Sequence, residues 1–579
     1  MSAVNQEALT VLALNLGTVH TQALLFEVVD GAYHLIAAGT TPSTIEAPLS
    51  DITVGVFDAI CQLQTLTGRI LLDPHNNLIL PGQVGGEGVD RMFITYSIGK
   101  QLKIATFGLM NDVSLLSINK LAATVPGRVV ESISLNDPRP LQQQIDDTVQ
   151  AYPDLILFAG GTDRGAARSM KKMADLIAAI LQLFPRNERP PVVYSGNQLL
   201  IKPFKDLFGL YSQFSTTANI RPDMDNEFLD QATEDLAKVV TSLRTDENDG
   251  FKRLALLSND SPCPSAVALG RMTRFLSKVG DPEKGILSID LGATSTTVAS
   301  AVAGDLNLHV LPVGSAQGFA TFLKSTPFSD IAQWFPTGIN PEDALDQLWQ
   351  KTLFPASIPM TPEGLSVELA AYRQLLRFIM RELAARGSLA ENGYETILCS
   401  GSALTQVAAP NQLLMMLLDG LQPKGISTII LDSHSILSAL GTIARTLPLL
   451  PVQVLESTAF INLATVVSTE GLLRAGALAL HTELQYSDGK VLEFEVKQGS
   501  IAVLPLKSGE SAILELHINH SLQVESLALA DTRFKVKGGL CGLVIDARGR
   551  PIKLPMNPRI REELLARWNS MLNPDELVR

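Results

Sequence analysis

The chain has 579 residues, 46% hydrophobic and 18% charged, a globular composition that excludes disorder over most of its length. At the usual ~100–200 residues per domain, about three to five domains are expected. Lys and Arg total 46 and Asp and Glu 59, so the net charge is −13. That balance argues against a surface built for nucleic acid or anionic membrane. Four scattered cysteines, Cys61, Cys263, Cys399 and Cys541, form no CxxC pair, so neither a zinc ribbon nor a disulfide scaffold is expected. No apolar run reaches the ~18 residues of a membrane span. The opening MSAVNQEALT lacks the regions of a secretory leader. The expectation is a soluble, cytoplasmic, multidomain α/β protein.

In chain order, residues 11–31, VLALNLGTVHTQALLFEVVDG, read as a β-hairpin whose tight turn is made by Gly17. Residues 154–165, DLILFAGGTDRG, read as a strand, a turn at Gly160 and Gly161, and the start of a helix. Asp163 and Arg164 follow that turn, more simply as the polar start of the helix than as groups facing a site. A helix is predicted over 226–243, then exposed loops at 244–250 and 258–267. Residues 286–306, ILSIDLGATSTTVASAVAGDL, repeat the first hairpin at an offset of 275, placing Asn15 on Asp290, Gly17 on Gly292 and Thr21 on Thr296. A helix is predicted over 364–387. Residues 395–405, ETILCSGSALT, echo the Gly160 unit at an offset of 241, with Gly401 on Gly160. After residue 450 the pattern alternates apolar and polar residues in short runs, as antiparallel strands do. A short amphipathic helix closes the sequence at 558–572. Two related lobes, 1–255 and 256–450, followed by a β-rich domain over 451–579, are the simplest division.

A glycine hairpin turn lets backbone N–H groups approach a phosphate, and the turn itself forms an anion-binding concavity. Thr18 and Thr21 in the first turn, and Thr294, Ser295 and Thr296 in the second, add hydroxyl donors. Asp290 is suited to hold a hydrated Mg²⁺. Either hairpin alone is an ordinary turn; two copies with glycine turns downstream point to a clamp. No GxxxxGK[ST], HExxH or GxSxG motif is present.

Two DxGxxxT-type hairpins and a later glycine turn resemble the actin, sugar-kinase and heat-shock ATPase superfamily. The resemblance implies two RNase-H-like lobes with ATP and Mg²⁺ between them. Residues 13–21 would be the phosphate 1 motif, 288–296 phosphate 2, and Ser400, Gly401 and Ser402 the adenosine motif. ALGTIA at 439–444 resembles the small-residue helix that follows it. More narrowly, PDLILFAGGTDRG (153–165), PPVVYSGN (190–197), ANIRPDMDNEFLD (218–230) and IDLGATSTTVAS (289–300) resemble the MutL/GlmL accessory proteins of glutamate mutase. GEGVDRMFITYSIG (86–99) fits the same family, and the likeness covers roughly 10–450. It implies a nucleotide-binding site formed by Asn15, Gly17, Thr18, Thr21, Gly160, Gly161, Asp290, Gly292, Thr294, Ser295, Thr296, Gly401 and Ser402, with Asp290 as metal ligand and catalytic carboxylate. The implied function is an accessory, reactivating or chaperone-like factor for a cobalamin-dependent mutase. A small-molecule kinase and a degenerate nucleotide-binding scaffold are the alternatives on the same fold. Asn15 brings no charge where the superfamily usually has Asp, which predicts nucleotide binding with at most slow hydrolysis.

Overall fold

The repeat at offset 275 is a repeat of strand pairing. Thr10–Leu16 pairs antiparallel with His20–Val29, Thr10 opposite Glu27 and Leu16 opposite Thr21. Gly285–Leu291 pairs antiparallel with Thr296–Val302, Gly285 opposite Val302 and Leu291 opposite Thr296. Every matched pair sits at the same offset, so the glycine turns close both hairpins in one register. The computed structural model describes residues 9–83, 85–163, 165–336, 338–524 and 532–572; Arg164 lies outside the described residues.

Each hairpin opens an RNase-H-like lobe. The first sheet runs Ala32–Pro42, His20–Val29, Thr10–Leu16, Arg91–Tyr96, Cys263–Pro264. Numbered along the chain this is 3-2-1-4-5, with the second strand antiparallel to the others. The second sheet begins with the same order, Asp305–Leu311, Thr296–Val302, Gly285–Leu291, Tyr394–Ser400, Gly425–Leu431. Two α/β lobes of the actin-like ATPase type therefore face each other, as the sequence implies.

The Gly160 echo belongs to another body. Between the fourth and fifth strands of the first lobe the chain builds a separate five-stranded parallel sheet. Its order is Gly127–Ser134, Leu102–Gly108, Leu155–Gly160, Val192–Gly196, Phe214–Thr216. That is a doubly wound order, 2-1-3-4-5. Leu155–Gly160 and Val192–Gly196 are buried at every residue, as strands covered on both faces must be. The true first-lobe counterpart of Tyr394–Ser400 is Arg91–Tyr96: Asn15 opposes Thr95 as Asp290 opposes Ser400. A strand–glycine–helix unit also recurs at parallel β-α connections in unrelated sheets, so its recurrence did not mark a repeat.

The sheet of the second lobe does not stop at 450. Ile461–Ser468 pairs antiparallel with Gly425–Leu431, Leu543–Asp546 adds in parallel, and Ile501–Leu504 completes eight strands. The antiparallel sheet Val491–Lys497, Leu478–Tyr486, Ser511–Ile518, Arg533–Lys537 is separate in its pairing and shares a core with the eight-stranded sheet through Leu480, Leu514, Val467 and Leu543. Leu463, Val466, Val544 and Trp568 enter the core of the second lobe. Arg548 ties the two parts together, 2.6 Å from Asp419 and 2.8 Å from Asp546, with its guanidinium 4.8 Å from the Trp568 ring centre. Removing the C-terminal part would take Arg548 from Asp419, leaving that carboxylate to Arg373 at 2.8 Å, and would uncover the apolar core face on which Leu463, Val466, Val544 and Trp568 pack. A chain ending at Leu450 is therefore expected to be insoluble, contrary to the boundary read from the sequence; a soluble fragment with a cooperative melt would refute this.

The lobes meet where helix Ser265–Val279 crosses helix Ile436–Ile443. A Cβ on Gly441 would lie 2.0 Å from the Ala268 carbonyl oxygen, so the crossing admits only glycine there. Arg271 donates to the Gly441 carbonyl, and the Thr95 and Thr442 hydroxyls lie 2.9 Å apart.

Candidate functional site

Both hairpin turns open into one cleft of about 350 Å³ between the lobes. In the first turn the Gly17 N–H donates to the His20 carbonyl at 2.9 Å. A Cβ on Gly17 would stand 2.8 Å from that oxygen, and one on Gly292 would stand 2.6 Å from the Ser295 carbonyl. Both turns are therefore bare backbone, able to present N–H groups at close range. The Thr18 and Thr294 hydroxyls lie 3.3 Å apart, so the two turns touch across the cleft.

The cleft brings together Asn15, Gly17, Thr18, Asp290, Gly292, Gly401 and Ser402. Thr294 and Ser295 line a small adjoining recess of about 30 Å³ that shares Thr18, Asp290 and Gly292. Thr21 and Thr296 do not reach the cleft surface. Both are fully buried, and the Thr296 hydroxyl donates to the Val313 carbonyl at 2.8 Å. Gly160 and Gly161 lie outside the cleft, at the carboxyl end of a strand in the inserted sheet. Their nearest neighbours are Met170, Leu109 and Asn197, and their place in the site is withdrawn on that ground.

Gly401 has φ 106° and ψ 146°, a conformation nearly reserved for glycine. A Cβ there would lie 2.3 Å from the Leu291 carbonyl oxygen. The turn after Tyr394–Ser400 thus rests directly on the end of the strand that carries Asp290.

Asp290 is half-buried on the cleft floor. Burial pushes its carboxyl up to about 6, the charge of Asp432 adds to the effect, and a hydrogen bond from Ser400 opposes it. Asp432 is also pushed up to about 6 by burial. It accepts from the backbone N–H groups of Ile436 and Leu437, each at 2.8 Å, and caps helix Ile436–Ile443. Sequence reasoning passed over Asp432, although an acid between an apolar strand and a helix is a visible capping pattern. Burial, helped by the charge of Lys351, lowers the pKa of His20; burial alone lowers that of His434. Both rings are therefore neutral at pH 7.

Asn15 has a reason of its own. Its amide N–H₂ donates across the cleft to the carbonyls of Ser435 at 3.2 Å and His434 at 3.4 Å. A carboxylate cannot donate to a carbonyl. Its Oδ1 is buried without a partner, and Asn15 and Asp290 both line the cleft. That orphaned oxygen, one carboxylate and two glycine cradles suit a hydrated Mg²⁺ held mainly by its waters and an anion. Among the described residues no group of three or more His, Cys, Asp or Glu is placed to hold a metal, so a cation here would depend on ligands the protein does not supply.

The family model described as MutL protein matches residues 11–320. The chain belongs to the MutL family. The match takes in both hairpin turns and the whole inserted sheet, and ends before Gly401. Protein MutL of Clostridium tetanomorphum is 23% identical over 210 residues, 35% of this chain and 43% of that protein; the match thus spans less than half of that relative's length. Among solved structures, nucleotide-free acetone carboxylase is similar at a TM-score of 0.35, with 12% identity over 85% of this chain and 81% of that one. Nucleotide-free diol dehydratase-reactivating factor is similar at 0.30, with 9% identity over 75% of this chain and 99% of that one. Among the described residues of this MutL-family chain no helix is long and apolar enough to cross a membrane.

Proposed function

We propose that this chain binds ATP with Mg²⁺ in the interlobe cleft and uses the nucleotide to act on a cobalamin-dependent mutase as a reactivating or chaperone-like factor. The observation that carries the reading is the pair of glycine turns, one from each lobe, facing each other with their Thr18 and Thr294 hydroxyls in contact. A polyphosphate between them would be held by backbone N–H groups of both lobes, so its presence or loss would bias how closely the lobes approach. Asp290, mostly ionised at pH 7, and the free Oδ1 of Asn15 would orient the waters of a bound Mg²⁺; the cation would supply charge neutralisation to the phosphates. Membership of the MutL family supports the mutase as partner, through the likeness to accessory proteins of glutamate mutase.

Gly17→Val and Gly292→Val each place a side chain against a carbonyl less than 3 Å from its first carbon. Each is expected to weaken ATP binding more than about tenfold, the loss of one charge-assisted contact or more. Calorimetric titration decides it, and parent-like binding by both variants would remove the clamp. For the partner, the test is return of turnover to an inactivated cobalamin mutase given ATP and fresh cofactor. A phosphorylated metabolite from a substrate screen would instead favour a kinase.

A further inference from the structure

A second and larger cavity, of about 710 Å³, lies away from the nucleotide cleft and shares none of its lining residues. It opens where the inserted sheet meets both lobes. Its walls come from helix Leu116–Ala122 of the insertion, helices Asp230–Glu247 and Ser265–Val279, strand Asp305–Leu311 and the turn after helix Pro362–Ala385. The Val310 N–H donates to the Ala123 carbonyl at 2.7 Å, which fixes the insertion to the second lobe beside the cavity.

His309 lines this space and is 7% exposed. Its Nε2 lies 2.9 Å from the Ser388 hydroxyl, whereas its Nδ1 is buried with no partner. An unpaired buried ring nitrogen is costly unless a ligand or water completes it. The charges near it are cationic: Arg386 and Lys120 both bear on His309, which burial also holds neutral. Arg271 and Arg274, on the far wall, are already matched by Glu234 at 2.7 Å and Asp230 at 2.5 Å. Lys120 meets Glu227 at 2.7 Å, outside the cavity lining, and Arg386 reaches Glu382 only at 3.7 Å. Arg386 is thus the cation near His309 with the most distant carboxylate partner, while Leu229, Leu306 and Leu308 present an apolar wall. Concave sites that join an apolar wall to convergent polar groups are where small molecules bind, and this cavity joins the two, with polar and charged side chains in the majority of its lining.

We propose that this cavity binds a small organic anion, its acid group beside Lys120, His309 and Arg386 and its apolar body against Leu229, Leu306 and Leu308. Pairing of an anion with the neutral ring fixes the tautomer: Nδ1–H donates to the ligand and Nε2 accepts from Ser388. The proposal does not depend on what fills the nucleotide cleft.

The full chain is titrated with 8-anilinonaphthalene-1-sulfonate, an acid group on apolar rings, and with N-phenyl-1-naphthylamine, the same rings without the acid. The sulfonate is expected to saturate a single site. Arg386→Gln and Lys120→Gln, both at partly exposed side chains, are expected to weaken it about tenfold each, as removal of a charged partner does, Arg386→Gln with unchanged melting and Lys120→Gln with the small loss of its ion pair to Glu227. His309→Phe should weaken it as much. The uncharged dye should bind far more weakly and should not distinguish parent from variants. Equal sulfonate affinity in parent and both glutamine variants, or equal affinity for the two dyes in the parent, overturns the proposal.

Discussion

Gly401→Ala is expected to abolish measurable ATP binding while leaving the chain folded but less stable. The backbone at this residue, φ 106° and ψ 146°, lies where a side chain is strained whatever the surrounding space. That strain alone is about 1–3 kcal/mol. The added methyl would also stand 2.3 Å from the Leu291 carbonyl oxygen and 2.6 Å from its carbon. Neither is the movable end of a side chain, so relief comes only by pushing the turn away from the strand that carries Asp290. Because Gly401, Asp290 and both hairpin turns line the same cleft, that shift opens the cleft at its floor. Calorimetric titration and a urea melt of the same sample check the two halves. Parent-like affinity in a destabilised protein would mean that the turn supports the lobe and takes no part in binding.

The second expectation concerns Asp290 and pH. Its carboxyl is raised from 3.8 to about 6, chiefly by burial. The folded chain therefore holds this proton more tightly than the unfolded one, and stability contributed by the group is present below 3.8 and lost as pH rises through 6. The loss is at most about 3 kcal/mol. Asp290→Asn removes that cost, so the variant should be at least as stable as the parent at pH 7 and gain nothing at pH 4. Function should move the opposite way. Asp290 is the carboxylate that lines the cleft, so the Mg²⁺-dependent part of ATP affinity should fall as pH drops below about 6, and in Asp290→Asn it should be reduced and no longer vary with pH in that range. A flat Mg²⁺ dependence between about pH 5 and about pH 8 in the parent would sink the assignment. Asn15→Asp, which restores the usual superfamily charge, should not raise hydrolysis. The new carboxylate would replace a donor to His434 and Ser435 and confront two carbonyl oxygens, so weaker closure of the lobes is the expected result.

The hairpins were legible because everything that defines them is local. Two apolar strands and a glycine turn occupy about twenty residues, and the repeat carries its register with it. The role of Asn15 was not legible, since its partners lie about 420 residues away; from sequence it reads only as a missing charge. The alternation after residue 450 signalled strands that pair antiparallel apart from the parallel pairing of Leu543–Asp546 with Ile461–Ser468. Period alone does not say which sheet a strand joins, and Ile461–Ser468 joined the second lobe. Gly160 and Gly161 misled for a related reason: a buried strand ending in glycine has the same local chemistry in an inserted domain as in a lobe.

The inserted sheet also sets an order of assembly. Thr95 pairs with Cys263, and every strand of the insertion lies between them. On a growing chain the insertion emerges whole before Cys263–Pro264 exists to finish the first lobe, and its own strand neighbours are close in sequence. Once folded, it replaces a long flexible loop by a compact body whose two ends are held, which lowers the entropic cost of closing the lobe around it. Damage to its core, for instance at Phe158, which sits among Tyr194 and Phe204, should therefore appear first as slow or failed maturation of a distant cleft whose own residues are all intact.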